Sequence, residues 1–180
     1  MISPPSDVTI LGIDPGYDRI GWSVGQVAGN QLMLVDCGCI LTDKKLTKVA
    51  RYQQIYEQLG GIVAKFLPTE AAVESLFFSK NVSTALPVSE ARGVIMTALF
   101  QNKVKFFEYT PNQIKVAVTG NGRADKRAIQ QMVLLQLRLS AELKQKVSSQ
   151  LDDTLDAIAI AIAHTALRPK LWKQTETSSK

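Results

Sequence analysis

Four acidic residues in this 180-residue chain occupy positions where a carboxylate needs a reason. Asp14 follows the apolar run Val8 to Ile13 and precedes Pro15-Gly16, so it lies where a buried strand meets a turn. Glu74 closes a second apolar run, Ala71 to Glu74, and the end of an apolar strand is a poor place for an idle carboxylate. Asp153 and Asp156 are i,i+3 in a helical segment and share a face. Ala157, Ile160 and His164 continue that face. Because the Ala and Ile pack inward, the two aspartates sit at the rim of the core. Taken singly, Asp14 reads as a turn residue, and Asp153 and Asp156 as acids complementing a helix dipole. Taken jointly, converging carboxylates repel one another and call for a cation. Oxygen-only ligands select hard ions such as Mg²⁺ or Mn²⁺. Two such ions about 3.5–4 Å apart activate a water and stabilise the leaving oxygen in phosphodiester hydrolysis. That chemistry needs no Ser, Cys or His nucleophile, and the chain has a single His.

The elements that must position these acids are legible from pattern. Val8 to Ile13, Gly21 to Val27 and Leu32 to Ile40 read as three strands, the last two joined by the turn residues Ala28-Gly29-Asn30-Gln31. Short links make them an antiparallel meander. Val49, Tyr52, Tyr56, Leu59, Val63 and Phe66 recur at helical spacing; Gly60-Gly61 weakens this helix and Pro68 follows its end. Ala71 to Glu74 is a short strand, placed most simply parallel to the first through a right-handed crossover. Neighbouring strands would put Asp14 and Glu74 at one edge of the sheet, where open α/β folds carry their sites. A polar-aromatic loop, Ser75 to Ser83, leads to a helix over Ser89 to Phe100. A fifth strand (Val104 to Tyr109), a short helix (Pro111 to Val118), a helix over Asp125 to Leu139 and a last helix over Asp152 to Leu167 follow. This order predicts an α/β fold: a mixed five-stranded sheet, three strands antiparallel and two parallel, flanked by helices.

Bulk properties bound the reading. Hydrophobic residues make up 46%, enough for a packed interior, and the length favours one domain over residues 1–168. Residues 169–180 read as a polar, basic, mobile tail. No apolar stretch reaches the ~20 residues of a membrane span, and Met1 to Asp7 does not read as a signal peptide. Cys37 and Cys39, on one side of an extended segment, do not form a disulfide framework or a zinc site and fit a reducing cytoplasm. The net charge of +5 is compatible with a polyanionic partner, the more so because the acids gather at a few positions.

At family scale the residues resemble RuvC, the bacterial crossover-junction (Holliday-junction) endodeoxyribonuclease. The stretches are Ile10-Leu-Gly-Ile-Asp-Pro-Gly16 with Gly21, Val73-Glu-Ser-Leu-Phe-Phe-Ser-Lys-Asn81, Glu90-Ala-Arg-Gly93, Gly120-Asn-Gly-Arg-Ala-Asp-Lys126 and Asp153-Thr-Leu-Asp-Ala-Ile-Ala-Ile-Ala161. They stand in family order and spacing over residues 9 to 166. The resemblance implies a ribonuclease-H-like fold. It implies a homodimer that resolves four-way DNA junctions by paired symmetric cleavage in recombination and repair, with Mg²⁺ or Mn²⁺, and a branch-migration motor as partner. The family's four acids fall on Asp14, Glu74, Asp153 and Asp156; its third position is not always Asp. Its aromatic wedge falls on Phe77, and its two basic residues on Lys115 and Lys126. Phe78 doubles the aromatic, Asp152 adds an acid, and Trp22 follows the first turn. An exposed aromatic beside a nuclease site can stack on an unpaired base, and lysines near an acidic centre suit phosphate contacts. His164 reads as a packing residue; Arg92 either bonds locally or touches DNA.

Three rivals remain beside this reading. A phosphotransferase of the actin–sugar-kinase type shares the Gly-Ile-Asp-x-Gly turn but needs two such domains, for which the chain is too short. An RNA-directed or non-catalytic relative on the same fold is opposed by the full acid set. A generic DNA-binding domain leaves the clustered acids unexplained.

Overall fold

The first strand, β1 (Thr9–Asp14), is buried on both faces: Ile10, Leu11 and Ile13 are fully inaccessible. Such a strand must lie inside a sheet with layers above and below it. In the computed structural model, which describes residues 8–75, 82–137, 139, 141–149 and 151–177, β1 is the central strand of five. β2 (Arg19–Ala28) and β3 (Gln31–Leu41) form the antiparallel meander on one side, and β4 (Glu70–Glu74) and β5 (Lys105–Tyr109) run parallel to β1 on the other. The order is β3-β2-β1-β4-β5. A bulge between Val24 and Gly25 interrupts the register of β2 with β3.

The two faces carry separate cores. Leu11, Ile13, Ala71 and Val73 pack with Ile55, Leu59 and Ile95 under α1 (Lys48–Phe66) and α2 (Val82–Gln101). Ile10 and Ala72 face the other way, with Ile114, Val133 and Ile158. That second layer holds α3 (Pro111–Thr119), α4 (Lys126–Gln136), α5 (Ala141–Ser149) and α6 (Leu151–Thr177). Every residue of α6 from Ala157 to Thr165 is buried, because the sheet lies on one side and α3, α4 and α5 on the others. α1 begins on the Thr47 cap, and α3 on a Thr110–Gln113 capping box with Pro111 in its first turn.

Several boundaries differ from expectation for physical reasons. α2 starts at Val82 rather than Ser89, with Pro87 inside it; a proline in the opening turns removes one hydrogen bond without ending the helix. α5 was not expected: among its described side chains only Val147 is buried, which leaves no apolar period to read. α4 stops at Gln136 instead of Leu139. α6 continues to Thr177, beyond the end expected at Leu167; once the buried turns exist, propagation adds one bond per residue fixed.

Candidate active site

Backbone register brings the first two acids together. Ile13 pairs with Val73 across the parallel β1–β4 ladder, so the next residues, Asp14 and Glu74, stand side by side at the carboxyl ends of adjacent strands. Strand alternation turns both toward the α6 side, with Ile10 and Ala72. The third acid arrives on α6, whose close approach depends on glycine. A Cβ at Gly12 would lie 2.3 Å from the Ala157 carbonyl oxygen, and one at Gly21 would lie 2.0 Å from that of Asp153. Ser23 Oγ donates to Ala157 O at 2.9 Å and ties the same turn of α6 to β2. Asp156 thereby faces Asp14 and Glu74.

The electrostatics record this crowding. Burial, then the charges of Glu74, Asp156 and Asp153, push the Asp14 carboxyl up to about 8 against the opposing pull of Lys126. Burial and the Asp156 charge also raise Glu74, with Lys115 opposing. Asp156 is raised by burial and by Asp152 and Asp153, against its bond to Lys126. The two lysines flank the acids. Lys115 comes from α3 and Lys126 opens α4, its Nζ 3.2 Å from Asp156 Oδ2 and 3.8 Å from Asp152 Oδ2. Glu74, Asp156, Lys115 and Lys126 line one cavity of about 210 Å³ with an apolar floor that includes Ile129 and Ile160.

Asp153 is placed differently. Its Oδ2 takes a 2.5 Å bond from Arg19 Nε and lies 3.8 Å from Cys39 Sγ. Two acids are thus turned to cationic side chains, and among the described residues no group of three or more His, Cys, Asp or Glu is gathered tightly enough to hold a metal ion. The donor set still fits a hard divalent ion: it is carboxylate oxygen throughout, and the raised Asp14 carboxyl marks negative charge that Lys126 does not neutralise. Phe77 and Phe78 lie outside the described residues. Asp152 is exposed at the rim, where Gln130 and Lys126 reach it. Gly120 adopts φ +74 and caps α3, a backbone role that suits glycine.

Sequence reasoning missed Arg19, whose partner is 134 residues away, and no local pattern signals such a pair. Arg92 makes a local ion pair with Glu108. His164 is buried as expected, but it is also hydrogen-bonded, between Glu70 and Tyr109.

The strand order, the crossover from β1 to β4 and the acids at the shared strand ends define the class: a ribonuclease-H-like nuclease fold. "T. thermophilus RuvC in complex with Holliday junction substrate" superposes with a TM-score of 0.81 at 27% identity, covering 91% of this chain and 96% of that one. The yeast mitochondrial Holliday junction resolvase Ydc2 shares the fold with a TM-score of 0.71 at 12% identity, covering 98% and 85%. The family described as crossover junction endodeoxyribonuclease RuvC matches residues 10–164. The crossover junction endodeoxyribonuclease RuvC of Roseiflexus sp. (strain RS-1) is 44% identical over 166 residues, 92% of this chain and 95% of that protein. The chain belongs to the RuvC family of crossover junction endodeoxyribonucleases. Among the described residues no helix is long and apolar enough to cross a membrane.

Proposed function

We propose that this chain resolves four-way DNA junctions by paired, symmetric phosphodiester hydrolysis, with Asp14, Glu74, Asp153 and Asp156 as its catalytic and metal-holding acids. The observation that carries the reading is the meeting of Asp14 and Glu74 on adjacent strand ends with Asp156 facing them from α6, in a chain of this family. The acids hold Mg²⁺ or Mn²⁺, two per site, and bound ions supply the Lewis acidity that activates water and neutralises the leaving oxygen. Lys115 and Lys126 hold the non-bridging oxygens of the scissile phosphate from the cavity's two sides. Their positive charge limits mutual repulsion between phosphate and acids before cleavage. Asp153, whose carboxylate is bonded to Arg19 in the free protein, would complete the donor set of such an ion. Phe77, with Phe78 as the alternative, stacks on a base exposed at the junction centre. Two copies of the chain, one per strand, account for paired nicks and leave ligatable 5′-phosphate and 3′-hydroxyl ends. A branch-migration motor is the partner this activity calls for, and a reducing cytoplasm, in keeping with the two free cysteines, is its compartment.

The test is cleavage of a synthetic four-way junction, a linear duplex and a structured RNA, with and without Mg²⁺. Paired nicks are expected in the junction alone and only with metal. Asp14→Asn lowers the nicking rate by at least about a hundredfold while binding the junction as the wild-type chain does. Loss of binding in parallel with cleavage would make Asp14 a structural residue, and cleavage of the RNA would transfer the reading to the RNA-directed alternative.

A further inference from the structure

We propose that His164, bonded to Glu70, is a positioning residue: it sets the roll of α6 and with it the distance between Asp156 and Glu74. The inference rests on the reading of Asp14, Glu74 and Asp156 as metal-holding acids, and His164 itself touches neither metal nor substrate.

A buried network runs from Glu70, at the end of β4 away from the acids, to Tyr109, which pairs with Glu74 across the β4–β5 ladder. His164 Nε2 is 2.8 Å from Glu70 Oε2, and its Nδ1 is 2.6 Å from the Tyr109 hydroxyl. Arg168 closes on the same carboxylate with Nε at 2.6 Å and a terminal nitrogen at 2.9 Å. His164 and Tyr109 are 0% and 1% exposed and Glu70 is 5% exposed. The Phe107 ring stacks at a tilt 4.7 Å from the imidazole. Packing alone does not ask for charge here, since apolar side chains of similar volume fill such space at least as stably as a buried ion pair.

Geometry supplies the reason. Glu70 and Glu74 are four residues apart on β4, about 13 Å at strand rise. Asp156 and His164 are eight residues apart on α6, about 12 Å at helix rise. Asp156 faces Glu74 and His164 faces Glu70, so the two elements run in opposite directions and the two pairs are rungs of one ladder. The Glu70–His164 rung is bonded; the Glu74–Asp156 rung joins two like charges and cannot hold itself closed. On β1 and β2, Gly12, Gly21 and Ser23 grip α6 by its backbone and fix its depth. The His164 rung grips a side chain and fixes the roll. A carboxylate about 6 Å from the helix axis moves by about 1 Å for a roll of about 10°, and an error of that size is costly in an ordered site.

The test is Mn²⁺ binding to the metal-free protein without DNA, read from the electron paramagnetic resonance of free Mn²⁺, with junction nicking measured in parallel. His164→Leu is expected to weaken Mn²⁺ binding by about tenfold and to slow nicking at saturating metal. His164→Gln, which keeps a nitrogen donor toward Glu70, is expected to recover most of both. Equal losses in the two variants, or a lower melting temperature with wild-type Mn²⁺ affinity and nicking in His164→Leu, would overturn the proposal. Should His164→Leu fail to fold, Glu70→Gln and Tyr109→Phe carry the same titration, and unchanged affinity in both overturns it. Asp14→Asn separates the two readings. Its loss of Mn²⁺ binding is expected; if it binds Mn²⁺ as the wild-type chain does, the metal reading falls and the positioning role with it.

Discussion

Asp14 carries its carboxyl into a half-buried niche already faced by Glu74, Asp156 and Asp153, and that niche has a consequence for stability. An unfolded Asp titrates near 3.8, whereas burial and the three acids hold the folded group at about 8. Between those values the unfolded chain has released its proton and the folded chain has kept it. The folded state is therefore favoured at low pH and loses that advantage as pH rises toward 8. Glu74 and Asp156 are shifted in the same direction and add to the effect. The metal-free protein is expected to melt at progressively lower temperature from pH 5 to 8, less steeply in Asp14→Asn, and millimolar Mg²⁺ is expected to restore the melting temperature at pH 8. A flat profile shared by both proteins would mean the acids do not crowd one another. Arg19 offers a complementary measurement. Under the proposed metal role of Asp153, the Arg19 bond to that carboxylate would compete with the ion, and the guanidinium is largely exposed. Arg19→Gln should tighten Mn²⁺ binding and leave the melting temperature that of the wild-type chain. Weaker binding would show that Arg19 orients Asp153 for the ion.

At the scale of elements, the glycines under α6 decide whether its acids reach the sheet. A methyl group at Gly21 would sit 2.0 Å from the Asp153 carbonyl oxygen and 2.6 Å from its carbon, and backbone atoms cannot swing aside as a side chain can. Gly21→Ala is expected to destabilise the fold by about 1–3 kcal/mol, a melting shift of about 2–4 °C per kcal/mol at this size, and to weaken metal binding because the first turn of α6 lifts. Gly61→Ala is the control: in α1 with nothing within 4 Å of its Cβ, it should be neutral or stabilising by up to about 1 kcal/mol. Equal behaviour of the two variants in thermal melting and Mn²⁺ titration would remove close packing as the device that seats α6. These elements were readable to unequal depth. The five strands, α1 and α3 announced themselves through alternation, helical spacing and the Pro111 start. The four acids were readable because each sits at a strand end or on a helix face that local pattern already locates. α5 left no period, and Pro87 hid the first turns of α2. The Arg19–Asp153 and Glu70–His164 pairs span 134 and 94 residues, and only packing of distant elements brings them together.

Across the whole molecule a net charge of +5 surrounds a centre that is locally acidic, and DNA must be drawn to the first while its phosphate enters the second. Lys115 and Lys126 stand at that boundary. Lys126 already pairs with Asp156 at 3.2 Å and offsets the acids in the free protein, and the proposed function gives it a phosphate to serve as well. Removing one lysine–phosphate contact lowers the slope of log K against log salt by about 0.9. With Ca²⁺ in place of Mg²⁺ to suppress cleavage, Lys126→Ala should weaken junction binding and reduce the slope by about that amount. Without metal the same variant also leaves Asp156 unpaired beside the incoming phosphate, so its affinity should fall further than the slope alone accounts for. Lys103, in the turn before β5, lies at the opposite end of the parallel strands from the acids, and Lys103→Gln should leave the slope unchanged. Binding isotherms over a salt series, for a four-way junction and a linear duplex, measure both. An unchanged slope in Lys126→Ala would confine this lysine to neutralising Asp156, and an equal reduction in Lys103→Gln would mean that the positive charge acts as a diffuse field rather than through contacts at the site.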